Sequence, residues 1–143
     1  MSDSNQPAVT PYLTVKGGLD AIAFYQRAFG AELLTQEMDD DGRRVAHAAL
    51  DVFGTMIMLS DEFPEYDLDS KSPLTVGATT VTLNVGFDDP AEVDAAMSKA
   101  VSAGCKVTAP PRDEFWGMRY GRLKDPFGHA WAFGAPLPEG GSS

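Results

Sequence analysis

Gly30 and Gly104 stand 74 positions apart, and Phe53-Gly54 returns as Phe127-Gly128 at the same separation. The stretches DVFGTMIML (51–59) and DPFGHAWAF (125–133) each set an Asp two residues ahead of Phe-Gly and follow it with mostly apolar chain. One such match can be accident. Two punctuation points at one offset, with the same element order around them, are hard to get by accident and point to a duplicated unit.

The element order is read from local pattern. Residues 8–16 alternate as a strand, with Tyr12, Leu13 and Val15 favouring extended chain. Ile22, Tyr25, Ala28 and Phe29 recur at helical spacing over about Leu19 to Phe29, and Gly30 supplies the left-handed stop. ELLTQEM and RRVAHAALDV predict two strands joined by the turn DDDGR, and Gly54 breaks the chain before a third, TMIMLS. Residues 61–78 are acidic, contain two prolines and predict a connecting or lid loop. The programme then restarts. TTVTLNVGF predicts a strand. Asp89 is placed as an N-cap with Pro90 behind it and Glu92 closing a capping box. Gly104 ends that helix, CKVTAP predicts a strand, APPRDEFWG a loop, and MRYGRLKD and HAWAF the last two strands. The expected organisation is α+β: a βαβββ unit at 8–60, the connecting loop at 61–78 and a second βαβββ unit at 79–135. Disordered ends are expected at 1–7 and 136–143.

A single unit leaves one face of a small sheet exposed. Two units can curve their sheets into a half-barrel with a concave pocket lined by both halves. A chain of 143 residues suits that: one domain, or two small units on a shared core. The only cysteine, Cys105, excludes an intrachain disulfide and a thiolate cage, and its place between helix and strand predicts a small buried residue. A net charge of −10 disfavours nucleic acid and anionic lipid as partners and would attract a cationic ligand. No apolar run reaches the ~20 residues of a membrane-spanning helix. The first residues lack the pattern of a secretory leader, so a cytoplasmic location is expected.

The stretches YLTVKGGLDAIAFYQRAFGAELL, VAHAALDVFGTMIMLSDE and AGCKVTAPPRDEFWGMRYGRLKDPFGHAWAF carry a resemblance to the vicinal oxygen chelate superfamily, which holds glyoxalase I, extradiol dioxygenases and bleomycin-resistance proteins. The resemblance covers roughly residues 8–135, and FYQRAFGAE with WGMRYGRLKDPFGHAW is similar to the PhnB-like branch. It implies a homodimer and, in typical enzymes of the superfamily, a divalent metal held by His or Glu on the cavity face. The positions matching those ligands are Thr10, Met58, Thr80 and Ala132, so neither a metal nor another cofactor is expected.

Strand registers like the family's turn Tyr12, His47, Met56, Met58, Ser60, Thr82, Asn84 and Tyr120 inward. Alternation alone sets Ala46, Ala48 and Leu50 on one face and Val45, His47 and Ala49 on the other. Trp116, Arg119, Tyr120 and Arg122 form a dense group that could stack on a planar ligand or pair with a carboxylate; the bland alternative pairs an arginine with surplus Asp and Glu. The candidate binding residues are therefore Tyr12, His47, Met56, Met58, Thr82, Trp116, Arg119, Tyr120 and Arg122. The expected function is binding of a small organic molecule, aromatic or cationic, for sequestration or resistance. The alternative is a glyoxalase-like lyase, isomerase or other enzyme acting on a small metabolite.

Overall fold

The computed structural model describes residues 7–66 and 70–138. The first unit runs β1 (Tyr12–Val15), α1 (Gly18–Phe29), β2 (Glu32–Met38), β3 (Val45–Val52) and β4 (Thr55–Asp61). The second runs β5 (Thr82–Gly86), α3 (Pro90–Ala103), β6 (Lys106–Asp113), β7 (Met118–Lys124) and β8 (Ala130–Pro136). Between them lie a single 3₁₀ turn at Pro64–Tyr66 and a one-turn helix, α2 (Pro73–Val76), inside the span expected to be loop. Ser72 caps α2 by accepting from the Thr75 amide, and Pro73 opens it. The expectations for the two ends lie outside the described residues except at Pro7 and 136–138, where β8 continues to Pro136.

The two sheets have matching orders, β1-β4-β3-β2 and β5-β8-β7-β6, with β1 parallel to β4 and β5 parallel to β8. This is the α+β architecture of paired βαβββ units, its sheets curved and not closed. β1 and β5 each pair on one side only, which leaves each unit one free inner edge. Among the described residues no helix is long and apolar enough to cross a membrane.

The two units share one core. α1 buries Ala21, Ile22, Phe24, Tyr25, Ala28 and Phe29. Phe29 packs 4.6 Å from Trp131 and 6.0 Å from Phe133, both on β8, and Phe24 meets Phe127 edge-on at 6.0 Å. A buried polar knot accompanies these rings. Asp125 accepts from the Tyr25 hydroxyl at 2.5 Å and Trp131 Nε1 at 2.9 Å, and its other oxygen takes the amides of Phe127 and His129. The Asp of the repeated turn thus fixes its own turn and also reaches across to the other unit.

A second buried carboxylate organises the start of α1. Asp61 accepts from the amides of Gly17, Gly18 and Val45 at 2.7–3.0 Å. The fit is close: a Cβ on Gly18 would sit 2.6 Å from Asp61 Oδ2 and 2.8 Å from Val45 Cβ. For α3 the capping box of Asp89 and Glu92 forms as expected, followed by Pro90.

Two details depart from simple alternation. A register shift between Glu37 and Met38 turns Val45 into the core beside Ala48 and Leu50, away from the face of His47. β6 continues beyond the expected strand CKVTAP, through Pro111 to Asp113 in the span expected as a loop, with irregular register across Pro110 and Pro111. β6 pairs only with β7, and an outer strand tolerates the missing proline donors.

Candidate functional site

In each unit a helix and the shared core cover one sheet face, and the other face stays open. On the first sheet Leu13, Val15, Ile57 and Leu59 are buried, so the alternate residues Tyr12, Met56, Met58 and Ser60 lie on the open face. Register sets Tyr12 beside Met58, and Met58 beside Ala49. The Tyr12 hydroxyl and His47 Nδ1 share a hydrogen bond of 2.9 Å, their rings 5.6 Å apart. Four of the expected residues, Tyr12, His47, Met56 and Met58, thus gather on this sheet.

Thr82, Tyr120 and Arg122 gather on the other. Arg122 donates from Nη1 to the Tyr120 hydroxyl at 3.0 Å and from Nη2 to Thr82 Oγ1 at 2.6 Å. Since β8 lies between β7 and β5, the guanidinium must span β8 to reach Thr82. Ala132, register partner of both Arg122 and Asn84, lies beneath that span and is only 1% exposed. Trp116 meets Tyr120 edge-on at 5.1 Å from the β6–β7 turn, where Phe115 is 98% exposed.

Arg119 behaves differently. As the neighbour of Tyr120 it lies on the opposite face, where it bonds Asp94 of α3 and Asp113 at 3.0–3.3 Å. The Asp94 hydrogen bonds, with the one to Asp113, hold its guanidinium above the ordinary range. The structure does not bring Arg119 to the other expected residues.

Sequence reasoning named 61–78 a connecting or lid loop but not the residues of it that cover one end of the first sheet. A recess of about 250 Å³ is lined by Tyr12, Ala46, Ser60, Asp61, Phe63 and Ser70. Phe63 is held there by Arg44, whose guanidinium stacks 4.3 Å from its ring and bonds Glu65 and Asp41 at 2.6–3.0 Å. Arg44 and Glu65 are 21 positions apart with no periodicity linking them, so no sequence signal marks the pair. A larger cavity, about 460 Å³, opens between the free edges of β1 and β5 against α2, with Tyr12, Thr14, Lys71, Val76, Leu83 and His129 in its lining. His129 Nε2 lies 2.9 Å from the Thr14 carbonyl, so a side chain bridges the seam where no ladder forms.

At the paired strand positions Tyr12–Met58 and Asn84–Ala132 the side chains are chemically soft or neutral. Thr10 and Thr80 precede β1 and β5, and the strand residues that register with Met58 and Ala132 are Tyr12 and Asn84. Among the described residues no three His, Cys, Asp or Glu side chains converge as a metal site. Two perturbed groups belong to the core. Burial, then the nearby Asp125 carboxylate and its hydrogen bond, pushes the Tyr25 phenol well above its usual value. Burial, with a smaller contribution from Asp125, pushes the Cys105 thiol up to about 12.

Comparison with known proteins places this geometry. A profile of the Glyoxalase/Bleomycin resistance protein/Dioxygenase superfamily matches residues 9–133. An uncharacterized protein of Mycobacterium bovis is 39% identical over 140 residues, which span 97% of this chain and 90% of that one. The crystal structure of TioX from Micromonospora sp. ML1 superposes with a TM-score of 0.70 at 25% identity, covering 92% of this chain and all of that one (100%). The PhnB protein of Bacillus cereus has the same fold, with a TM-score of 0.68 at 20% identity, covering 92% and 99% of the two chains.

Proposed function

Because the chain belongs to the Glyoxalase/Bleomycin resistance protein/Dioxygenase superfamily, we propose that it binds a small organic molecule in the sheet concavity without a resident divalent ion. The observation that carries this reading is the chemistry at four open-face positions in register, Tyr12 with Met58 and Asn84 with Ala132. Tyr12, Met58, Asn84 and Ala132 supply a phenol, a thioether, an amide and a methyl group. None is an imidazole or carboxylate, so the set does not fit a hard or borderline cation. It does suit a planar organic body. Aromatic rings offer stacking faces, and methionine moulds to irregular shapes. The role that follows is sequestration of the bound molecule, in a cytoplasmic homodimer.

Metal analysis of the purified protein, paired with thermal shift against a panel of aromatic compounds with and without a chelator, tests the reading. Compounds should raise the melting temperature equally in both conditions. Stoichiometric nickel, zinc, manganese or iron, with shifts lost on chelation, would refute it.

A second reading rests on the Tyr12–His47 hydrogen bond of 2.9 Å. A phenol bonded to an imidazole can relay a proton, the element an isomerase or lyase acting on a small metabolite would need. Turnover of a metabolite that disappears in His47→Gln, while binding persists, would favour this reading over sequestration.

A further inference from the structure

We infer that the open face of the second sheet is an anion subsite in which Arg122 takes the carboxylate of the bound molecule; this rests on the binding function proposed above and names its ligand class. Charge is segregated between the two sheets. The four strands of the first carry Glu32, Glu37, Asp51 and Asp61 and no lysine or arginine. In the second, β5, β7 and β8 contain no acidic residue, although the whole chain has 21. β7 carries Arg119, Arg122 and Lys124, and β6 carries Lys106 and Arg112 against a single Asp113.

Within this basic sheet the arginines divide by partner. Arg119 is consumed by Asp94 and Asp113, and Arg112 by Glu114. Arg122 meets no carboxylate among the described residues. Two neutral hydroxyls hold it instead, Tyr120 on one nitrogen and Thr82 on the other. A guanidinium has five donors in a fixed fork, and these two bonds leave three unspent. A partly buried guanidinium so positioned, on the side of the sheet that no helix covers, matches the planar bidentate geometry of a carboxylate. The net charge of −10 screens within a Debye length of ~8 Å at physiological salt. Acidic residues beyond that reach therefore weigh little against a direct pair between Arg122 and one carboxylate. The ligand class is a monocarboxylate on an apolar or aromatic body, its ring near Tyr120 and Trp116.

The test uses three probes that share a ring and differ in charge: benzoate, benzamide and benzylammonium. Each is titrated into the full chain, following ¹⁵N shifts that include Arg122 Nε. Benzoate should bind ~10-fold or more tightly than benzamide, the ratio expected of one charge-assisted pair. Arg122→Gln should abolish that preference, bringing benzoate affinity down to that of benzamide. Arg122→Lys, which keeps the charge and loses the fork, should retain a reduced preference; it also serves if the glutamine variant fails to fold. Benzamide or benzylammonium binding as tightly as benzoate, or a preference that survives in Arg122→Gln, would overturn the anion subsite while leaving the cavity function standing. Failure of all three probes to bind would overturn both.

Discussion

Replacing Tyr25 by Phe isolates a hydrogen bond that is, among the described residues, the one between side chains of the two units lying wholly in the core. Tyr25 is 1% exposed, and its hydroxyl donates to Asp125 at 2.5 Å across 100 positions of sequence. The substitution keeps the ring contacts with Phe29, Phe127 and Trp131. Asp125 keeps three donors: Trp131 Nε1 and the amides of Phe127 and His129. What is lost is one hydrogen bond to a buried carboxylate, worth roughly 1.5–3 kcal/mol. With an unfolding entropy of ~2.1 cal/mol/K per residue, a loss of ~2 kcal/mol lowers Tm by roughly 7 °C in a chain of this length. Thermal unfolding at pH 7 followed by circular dichroism measures it. The pH dependence supplies a second readout. The folded phenol titrates well above its unfolded value near 10. Its contribution is therefore complete below pH 10 and is lost as pH rises beyond it, because only the unfolded chain can release that proton. The stability gap between wild type and Tyr25→Phe should narrow above pH 10. A Tm change under about 2 °C, or a gap unchanged from pH 8 to 11, would refute the assignment of this bond as a stabilising tie.

Two further outcomes follow from the core. Gly18→Ala should cost ~1–3 kcal/mol, because its methyl would meet the Asp61 carboxylate and Val45 at contact distances that the packed start of α1 cannot relax; urea unfolding checks this, and a neutral result would show that Asp61 can withdraw. Cys105→Ala should flatten the alkaline loss of stability. The folded thiol titrates near 12, against ~8.5–9 when unfolded, so wild type loses this contribution between those values at up to ~1.4 kcal/mol per pH unit, and the variant does not; urea titrations at pH 8 and 10.5 measure the difference.

The architecture was legible because duplication prints itself in chain punctuation. Gly30 and Gly104 close α1 and α3, and Asp89 and Glu92 cap α3, each through a local backbone requirement that sequence records. The open faces were legible where alternation is unbroken, as for Tyr12, Met58 and Thr82. They were lost where it breaks: the bulge that turns Val45 inward follows from pairing with β2, not from the residues of β3. Arg119 and Arg122 show the limit most plainly. Three positions apart, they fall on opposite faces by alternation, but their partners, the carboxylates at α3 for one and Thr82 across β8 for the other, come from distant chain that no local pattern names. Arg44 with Glu65 and Phe63 was illegible for a different reason, since the pairing exists only after the chain has doubled back.

The seam between the halves is closed by rings, a phenol-carboxylate bond and the His129–Thr14 bridge, with β1 and β5 left unladdered. Joined in this way, the halves need not keep their strands in step. A substitution on one open surface shifts no hydrogen-bond register in the other, so each half is free to acquire its own selectivity, and a tandem ancestor of identical halves could diverge into an acidic wall and a basic one without a stage at which the protein failed to fold.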